Sequence, residues 1–353
     1  MTLFTPLHLR AIEFKNRVGV SPMCQYSAKD GHPGTWHLVH LGSRAVGGAA
    51  LVMTEATAVQ EVGRISPTDA GMYSDAHVDS WRPIAGFVKE QGAVPGIQLA
   101  HAGRKASTAA PWLGGGGPLS HDQGGWKPVS STSVPFDIGH PVPRAMTLRD
   151  LDQVVADFQQ STRHALAAGF QFVEIHAAHG YLLHQFYSPL SNDRKDDYGG
   201  IFENRIRLLL RVTQTVRETL PQALPLLVRI SATDWKEGGW DLEQSIELCR
   251  RLKVLGVDLV DVSSGGILPG IKIPVGPGYQ VGFAEAIRRQ AGVATAAVGM
   301  ITDPAQAESI IAAGQADMVF LAREMLRDPY WPRRAAAALQ AKIKPPVQYE
   351  RAW

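Results

Sequence analysis

Short apolar runs of strand character recur along this chain, and each is followed by a segment of helical period. The predicted strands are Val18–Met23, Ala50–Glu55, Gly96–Ala100, Phe172–His176, Leu226–Ile230, Leu259–Val262, Ala294–Val298 and Met318–Leu321. Helical stretches are predicted near Trp36–Val46, His77–Gln91, Leu148–Ala168, Phe202–Leu220, Leu242–Leu255, Phe283–Gln290, Pro304–Ala313 and Pro329–Gln340. Thr147 with Asp150 has the form of a capping box, and Asp303 before Pro304 supplies an N-cap with proline at the first helical position. Gly169, Gly256, Gly292 and Gly314 each close a helix just before the next strand. Eight strands and eight helices in strict order are the count of a (β/α)8 TIM barrel. An open doubly wound sheet is the alternative, but no G-x-G-x-x-G follows the first strand. Leu7–Phe14 alternates ahead of the barrel and is expected to form a hairpin plugging its floor. The segment 110–144 after strand three, rich in Gly, Pro and Ser, is too long for an ordinary connection and is expected to shape the mouth. No repeat or linker divides the chain, so a single domain over 1–353 is expected.

Composition narrows the partners. Hydrophobic residues make up 45% and charged residues 19% of 353, enough for a sizeable core. The net charge of +2, without long runs of like charge, argues against nucleic acid or an anionic membrane surface. No stretch has the length of a membrane span, and Met1 to Lys15 lacks the plan of a signal peptide. Cys24 and Cys249 are the only cysteines, which excludes a disulfide framework and suits a reducing cytoplasm.

Chemistry in such barrels sits where strands end. Strands seven and eight end at Gly299-Met300 and Ala322-Arg323. Small residues let backbone N–H groups approach an anion, and an arginine supplies a fork of donors, so a phosphate-bearing cofactor is expected there. Gly299 taken alone also reads as a tight turn. Strand four runs into His176-Ala177-Ala178-His179-Gly180-Tyr181. Two imidazoles three apart can share a metal, yet no acidic residue stands nearby and Cys24 is the only plausible thiolate, so no metal is expected. The competing reading makes them N–H donors to a substrate oxygen, with Tyr181 holding a proton. A third leaves them lining a packed barrel top. Arg229 and Gln98 suit the anionic, amide-like edge of a flavin, although either also fits an internal polar layer.

Together these residues resemble the Old Yellow Enzyme family, in its thermophilic-like, xenobiotic reductase type. The resemblance spans nearly the whole chain. Its specific parts are Ser-Pro-Met-Cys-x-Tyr at 21–26, Gln-Leu-x-His-Ala-Gly-Arg-Lys at 98–105 and His-Ala-Ala-His-Gly-Tyr-Leu at 176–182. Ser188-Pro189-Leu190-Ser191-Asn192, Tyr198-Gly199-Gly200 and Glu203-Asn204-Arg205 add to it. It implies non-covalent FMN at the barrel mouth. Ser21, Pro22, Met23, Cys24, Ala56, Gln98 and Arg229 would hold the isoalloxazine, and Gly299, Met300, Ala322 and Arg323 the phosphate. His176 and His179 would bind a carbonyl oxygen, Tyr26 would contact substrate, and Tyr181 would donate the proton. NADPH, or NADH in its place, would supply hydride for reducing the C=C bond of enones and enals, and the resemblance extends to nitro compounds and other xenobiotics. It further implies a homodimer or homotetramer whose C-terminal tail, 345–353, carries Arg351 and Trp353 into a neighbour's substrate pocket. Two departures are visible: Ala322 stands where glycine is common, and the 110–144 insertion exceeds that of compact members. Other flavin barrels, such as a dienoyl-CoA reductase or dihydroorotate dehydrogenase, a metal-dependent hydrolase and a non-catalytic phosphate-binding barrel are the alternatives.

Overall fold

The computed structural model describes residues 2–352. A two-stranded antiparallel hairpin, β1 (Leu7–Leu9) and β2 (Ile12–Phe14), precedes the barrel. Leu9 and Phe14 bury against Leu51, Met53, Val94 and Phe172, so the hairpin seals one end of the strands, as its alternation predicts. The barrel strands and their helices then follow in chain order. β3 (Val18–Val20), α1 (Thr35–Val46), β4 (Leu51–Ala58), α2 (Asp75–Glu90) and β5 (Val94–Ala100) make the first part. The insertion contributes short 3-10 turns at Gly114–Gly116 and His121–Gln123, and the strands β6 (Val129–Ser130) and β7 (Arg144–Ala145), paired with each other. α3 (Leu148–Ala168), β8 (Phe172–Ala177), α4 (Leu182–Tyr187), α5 (Phe202–Thr219) and β9 (Leu226–Ser231) come next. The chain continues through α6 (Leu242–Val254), β10 (Leu259–Ser263), α7 (Val281–Ala291), β11 (Ala294–Val298), α8 (Pro304–Ala312) and β12 (Met318–Leu321) to α9 (Arg323–Arg327) and α10 (Trp331–Ala338). β3, β4, β5, β8, β9, β10, β11 and β12 pair in parallel and close into an eight-stranded barrel.

The predicted boundaries of β11, β12 and α3 coincide with those observed, because their ends carry strong local chemistry. Thr147 Oγ1 accepts from the Asp150 N–H, and the Asp150 carboxylate accepts from the Thr147 N–H at 2.7 Å. At the far end Gly169 sits at φ 94°, a conformation that a Cβ would strain.

Two expectations change. The last helix, predicted over Pro329–Gln340, is observed as α10 alone; a separate short piece, α9, precedes it and was not predicted, and Asp328, Pro329 and Tyr330 lie between the two. Pro329 lacks the N–H that a continuous helix needs, and Pro332 sits instead at the start of the second piece. α4 was not predicted. All six of its residues are buried, so it carries no polar face for a period of 3.6 to reveal. Among the described residues no helix is long and apolar enough to cross a membrane.

Candidate active site

The barrel register brings the predicted residues to one end. In β8 the alternating positions Glu174 and His176 face inward with Arg229 of β9, which pairs with His176 on one side and with Asp261 of β10 on the other. Gln98 of β5 pairs with both Ala56 and Glu174. The loop after β8 then turns sharply, with His179 at φ 58°. Its shape is held from below: the Gly180 N–H donates to His184 Nδ1, and His184 Nε2 donates to buried Asp234 at 2.8 Å. The Asp234 carboxylate also accepts from the Ser188 hydroxyl at 2.6 Å and the Trp240 N–H at 2.8 Å.

This turn stacks three rings. His176 and His179 lie edge to face with centroids 5.3 Å apart, and Tyr181 packs against His176 at 5.0 Å. Burial, with the positive charges of Arg229 and Lys105, holds both imidazoles far below the usual histidine range, so they are neutral. His179 Nε2 is 2.7 Å from Ser263 Oγ, while buried His176 Nδ1 has no protein partner. The Tyr181 phenol is pushed up by burial and by nearby Cys24, Tyr26 and Asp69, and so keeps its proton. Among the described residues no group of three His, Cys, Asp or Glu is arranged to hold a metal ion.

Cys24 and Tyr26 lie across the mouth, packed with Tyr181 against Ala56, Ile65, Ala100, Ala102 and Ala106. Burial and the carboxylates of Asp69 and Glu55 raise the Cys24 thiol well above its usual range, outweighing hydrogen bonds from Ala56 N–H and the Tyr26 hydroxyl. It stays a thiol, which does not suit a nucleophile. Glu55 pins this loop: it accepts from the Gln25 N–H at 2.8 Å and pairs with His37 at 2.9 Å. A register shift in β4 between Met53 and Ala56 accompanies this arrangement.

A cavity of about 580 Å³ runs from Arg229 and Ser263 to Gly299, Met300, Ala322 and Arg323. Ser21 is buried at the end of β3, and Pro22 and Met23 are half-buried beside it. The tail runs along the surface. Tyr349 lies near Tyr330, with ring centroids 6.5 Å apart, Arg351 is exposed, and Trp353 lies outside the described residues.

Sequence reasoning left several neighbours without a role. Lys105 donates to the carbonyls of His179 at 2.8 Å and Gly266 at 3.2 Å and lies over the Tyr181 ring. Trp112, from the insertion, meets Tyr26 edge to face at 5.7 Å. Ser263 follows from its place at a strand end. Glu174 and Asp261 had a signal too, each being an acid inside an apolar strand.

The NADH:flavin oxidoreductase / NADH oxidase family profile matches residues 2–342. An NADPH dehydrogenase of Geobacillus thermodenitrificans (strain NG80-2) is 47% identical, over 99% of this chain and 98% of its own. The chain belongs to the NADH:flavin oxidoreductase family. Among solved structures, morphinone reductase aligns with a TM-score of 0.80 at 27% identity, over 98% of this chain and 92% of its own. The Old Yellow Enzyme homologue from Zymomonas mobilis gives 0.79 at 28%, over 98% and 95%. The protein is thus an FMN-family oxidoreductase of Old Yellow Enzyme type.

The family implies FMN, and the residues present fit it. Gly299 lines the cavity at φ 124°, and a Cβ there would come within 2.8 Å of Gln280 Nε2, so this position has room for glycine and not for a side chain. Arg323 has no ion pair or hydrogen bond among the described residues, leaving its guanidinium for a phosphate. Ala322 has a negative φ of −102°, outside the left-handed region that favours glycine. At the other end buried Ser21 Oγ is likewise without a protein partner. Arg323→Ala is expected to weaken FMN binding about 10- to 100-fold, the cost of one charge-assisted contact. Fluorescence titration of the apoprotein with FMN checks this; an unchanged Kd removes Arg323 from the phosphate site.

Proposed function

We propose that this enzyme uses FMN and NADPH, with NADH as a second donor, to reduce the activated C=C bond of enones and enals. What supports the reading above all is the pair of neutral imidazoles, His176 and His179, with the protonated Tyr181 phenol packed against one of them. The name of the Geobacillus relative, NADPH dehydrogenase, supports the donor, and morphinone reductase, by its name, is a reductase of a small organic molecule, morphinone.

FMN, when bound, supplies the hydride. Ser21, Pro22, Met23, Cys24, Ala56, Gln98 and Arg229 would hold its ring, and Gly299, Met300, Ala322 and Arg323 its phosphate. Neutral His176 and His179 each carry one ring N–H to donate to the substrate's carbonyl oxygen, and Ser263 Oγ, 2.7 Å from His179 Nε2, holds the second ring in place. Their donation draws electron density from the β-carbon, which makes it the hydride acceptor. Tyr181 holds the proton destined for the α-carbon, and burial keeps that proton in place until it is used. Tyr26, carried at φ 46° and backed by Trp112, bounds the substrate. The same donors suit a nitro group, so xenobiotics of that class fall within the proposal. Free Cys24 and Cys249 suit a reducing cytoplasm. Anaerobic mixing of NADPH-reduced enzyme with 2-cyclohexenone tests the reading. Flavin reoxidation with formation of the saturated ketone is expected; reduced flavin that no enone reoxidises ends it.

The proposal includes a homodimer or homotetramer in which the tail 345–353 brings Arg351 and Trp353 to a neighbour's substrate pocket. Supporting it, Arg351 is exposed and unpaired among the described residues. Deleting Glu350–Trp353 is expected to raise KM for enone about 10- to 100-fold with FMN still bound. Unchanged KM and unchanged mass by light scattering would reduce the segment to a simple tail.

A further inference from the structure

Four polar side chains on four adjacent strands are buried together inside the barrel, Gln98, Glu174, Arg229 and Asp261, and Arg229 also lines the cavity. The cluster holds one cation and two acids. Arg229 Nε lies 3.1 Å from Asp261 Oδ2, at ion-pair distance but without the alignment of a hydrogen bond. Glu174 Oε1 accepts from Gln98 Nε2 at 2.7 Å, and Glu174 Oε2 has no partner. Both acids are completely excluded from solvent. A second bare carboxylate here would face desolvation and repulsion from Asp261, while the only cation in the cluster is already committed.

We propose that Glu174 and Asp261 carry a single negative charge between them, with Glu174 protonated and Asp261 ionised. Asp261 is then a positioning residue that offsets the Arg229 charge and so sets the redox potential of the bound flavin. The inference rests on the FMN reading. Burial pushes both carboxyls up, Glu174 further because Asp261 repels it, while Arg229 and the Gln98 amide counter this only in part. For Asp261 the main opposing influence is Arg229 itself. The protonated acid, the carboxylate and the guanidinium sum to zero charge. A flavin ring held by Arg229 would gain one negative charge on two-electron reduction by hydride. An ionised Asp261 works against that addition; a protonated Glu174 does not.

The holoenzyme tests this with two variants. Asp261→Asn leaves Arg229 uncompensated and is expected to favour reduced flavin at least tenfold, a rise of about 30 mV in midpoint potential for a two-electron couple. Glu174→Gln replaces a neutral acid by a neutral amide, and its potential is expected to stay within about twofold of wild type, or about 9 mV on the same scale. Infrared difference spectra of the wild type should show the carbonyl stretch of a protonated carboxylic acid that Glu174→Gln lacks. An unchanged potential in Asp261→Asn overturns the proposal. So does a rise in Glu174→Gln equal to that of Asp261→Asn, or a carboxylic acid band that survives it. Should Asp261→Asn fail to fold, the Glu174→Gln potential and the infrared band still decide. Absence of FMN binding in the wild type sinks the functional reading instead, and the infrared arm distinguishes the two.

Discussion

Replacing Tyr181 by phenylalanine is expected to slow enone reduction by about 10²–10⁴-fold while reduction of the flavin by NADPH stays near the wild-type rate. The substitution removes one hydroxyl and keeps the ring, so the contacts to His176 and to the alanine-rich wall survive. Only the oxidative half of the cycle needs a proton at the α-carbon. The phenol is well placed to hold one, because burial and the neighbouring Cys24, Tyr26 and Asp69 all oppose its ionisation. Stopped-flow absorbance separates the halves: flavin bleaching by NADPH, then recovery on adding enone. Equal slowing of both would assign Tyr181 to shaping the pocket.

The second large effect concerns stability. Asp234→Ala is expected to cost about 3–5 kcal/mol, the range for breaking a buried charged network by removing one partner. Its carboxylate accepts from His184, Ser188 and the Trp240 N–H, and all three donors would be left in a dry interior. Burial alone would raise this carboxyl, but His184 and the hydrogen bonds hold it below the usual range. A depressed folded-state value contributes stability that is complete above the unfolded carboxylate value of about 3.9 and is lost as pH falls through the folded one. The gap between wild type and variant in urea unfolding should therefore be constant from pH 7 to about 5 and narrow below about 4. A gap already closing near pH 6 would point to another group. Because His184 also receives the Gly180 N–H, the variant should lose the order of the His179–Tyr181 turn before the barrel unfolds.

What was legible in the sequence was whatever local chemistry determines. The alternation of apolar runs, the capping box at Thr147 and the αL glycine at Gly169 depend on neighbours a few residues away, so β11, β12 and α3 were readable to the residue. The barrel followed from the count of strands and helices. α4 escaped because a helix buried on every side has no polar face, and α10 starts two residues later than predicted, with Pro332 rather than Pro329 in its first turn.

The site divides in the same way. His176, His179 and Tyr181 stand within six residues, and their motif named them. Other partners come from strands and loops far away in the chain. Ser263 reaches His179 across 84 positions, and Lys105 reaches the His179 carbonyl across 74. Gln98 meets Glu174 across 76. Barrel closure and register brought these groups together, and no local pattern encodes a register between distant strands. The sequence by itself determined which side chains the barrel mouth has to work with; only the tertiary structure decided which of them share a proton, a charge or a hydrogen bond, because those depend on distances of about 3 Å set by packing.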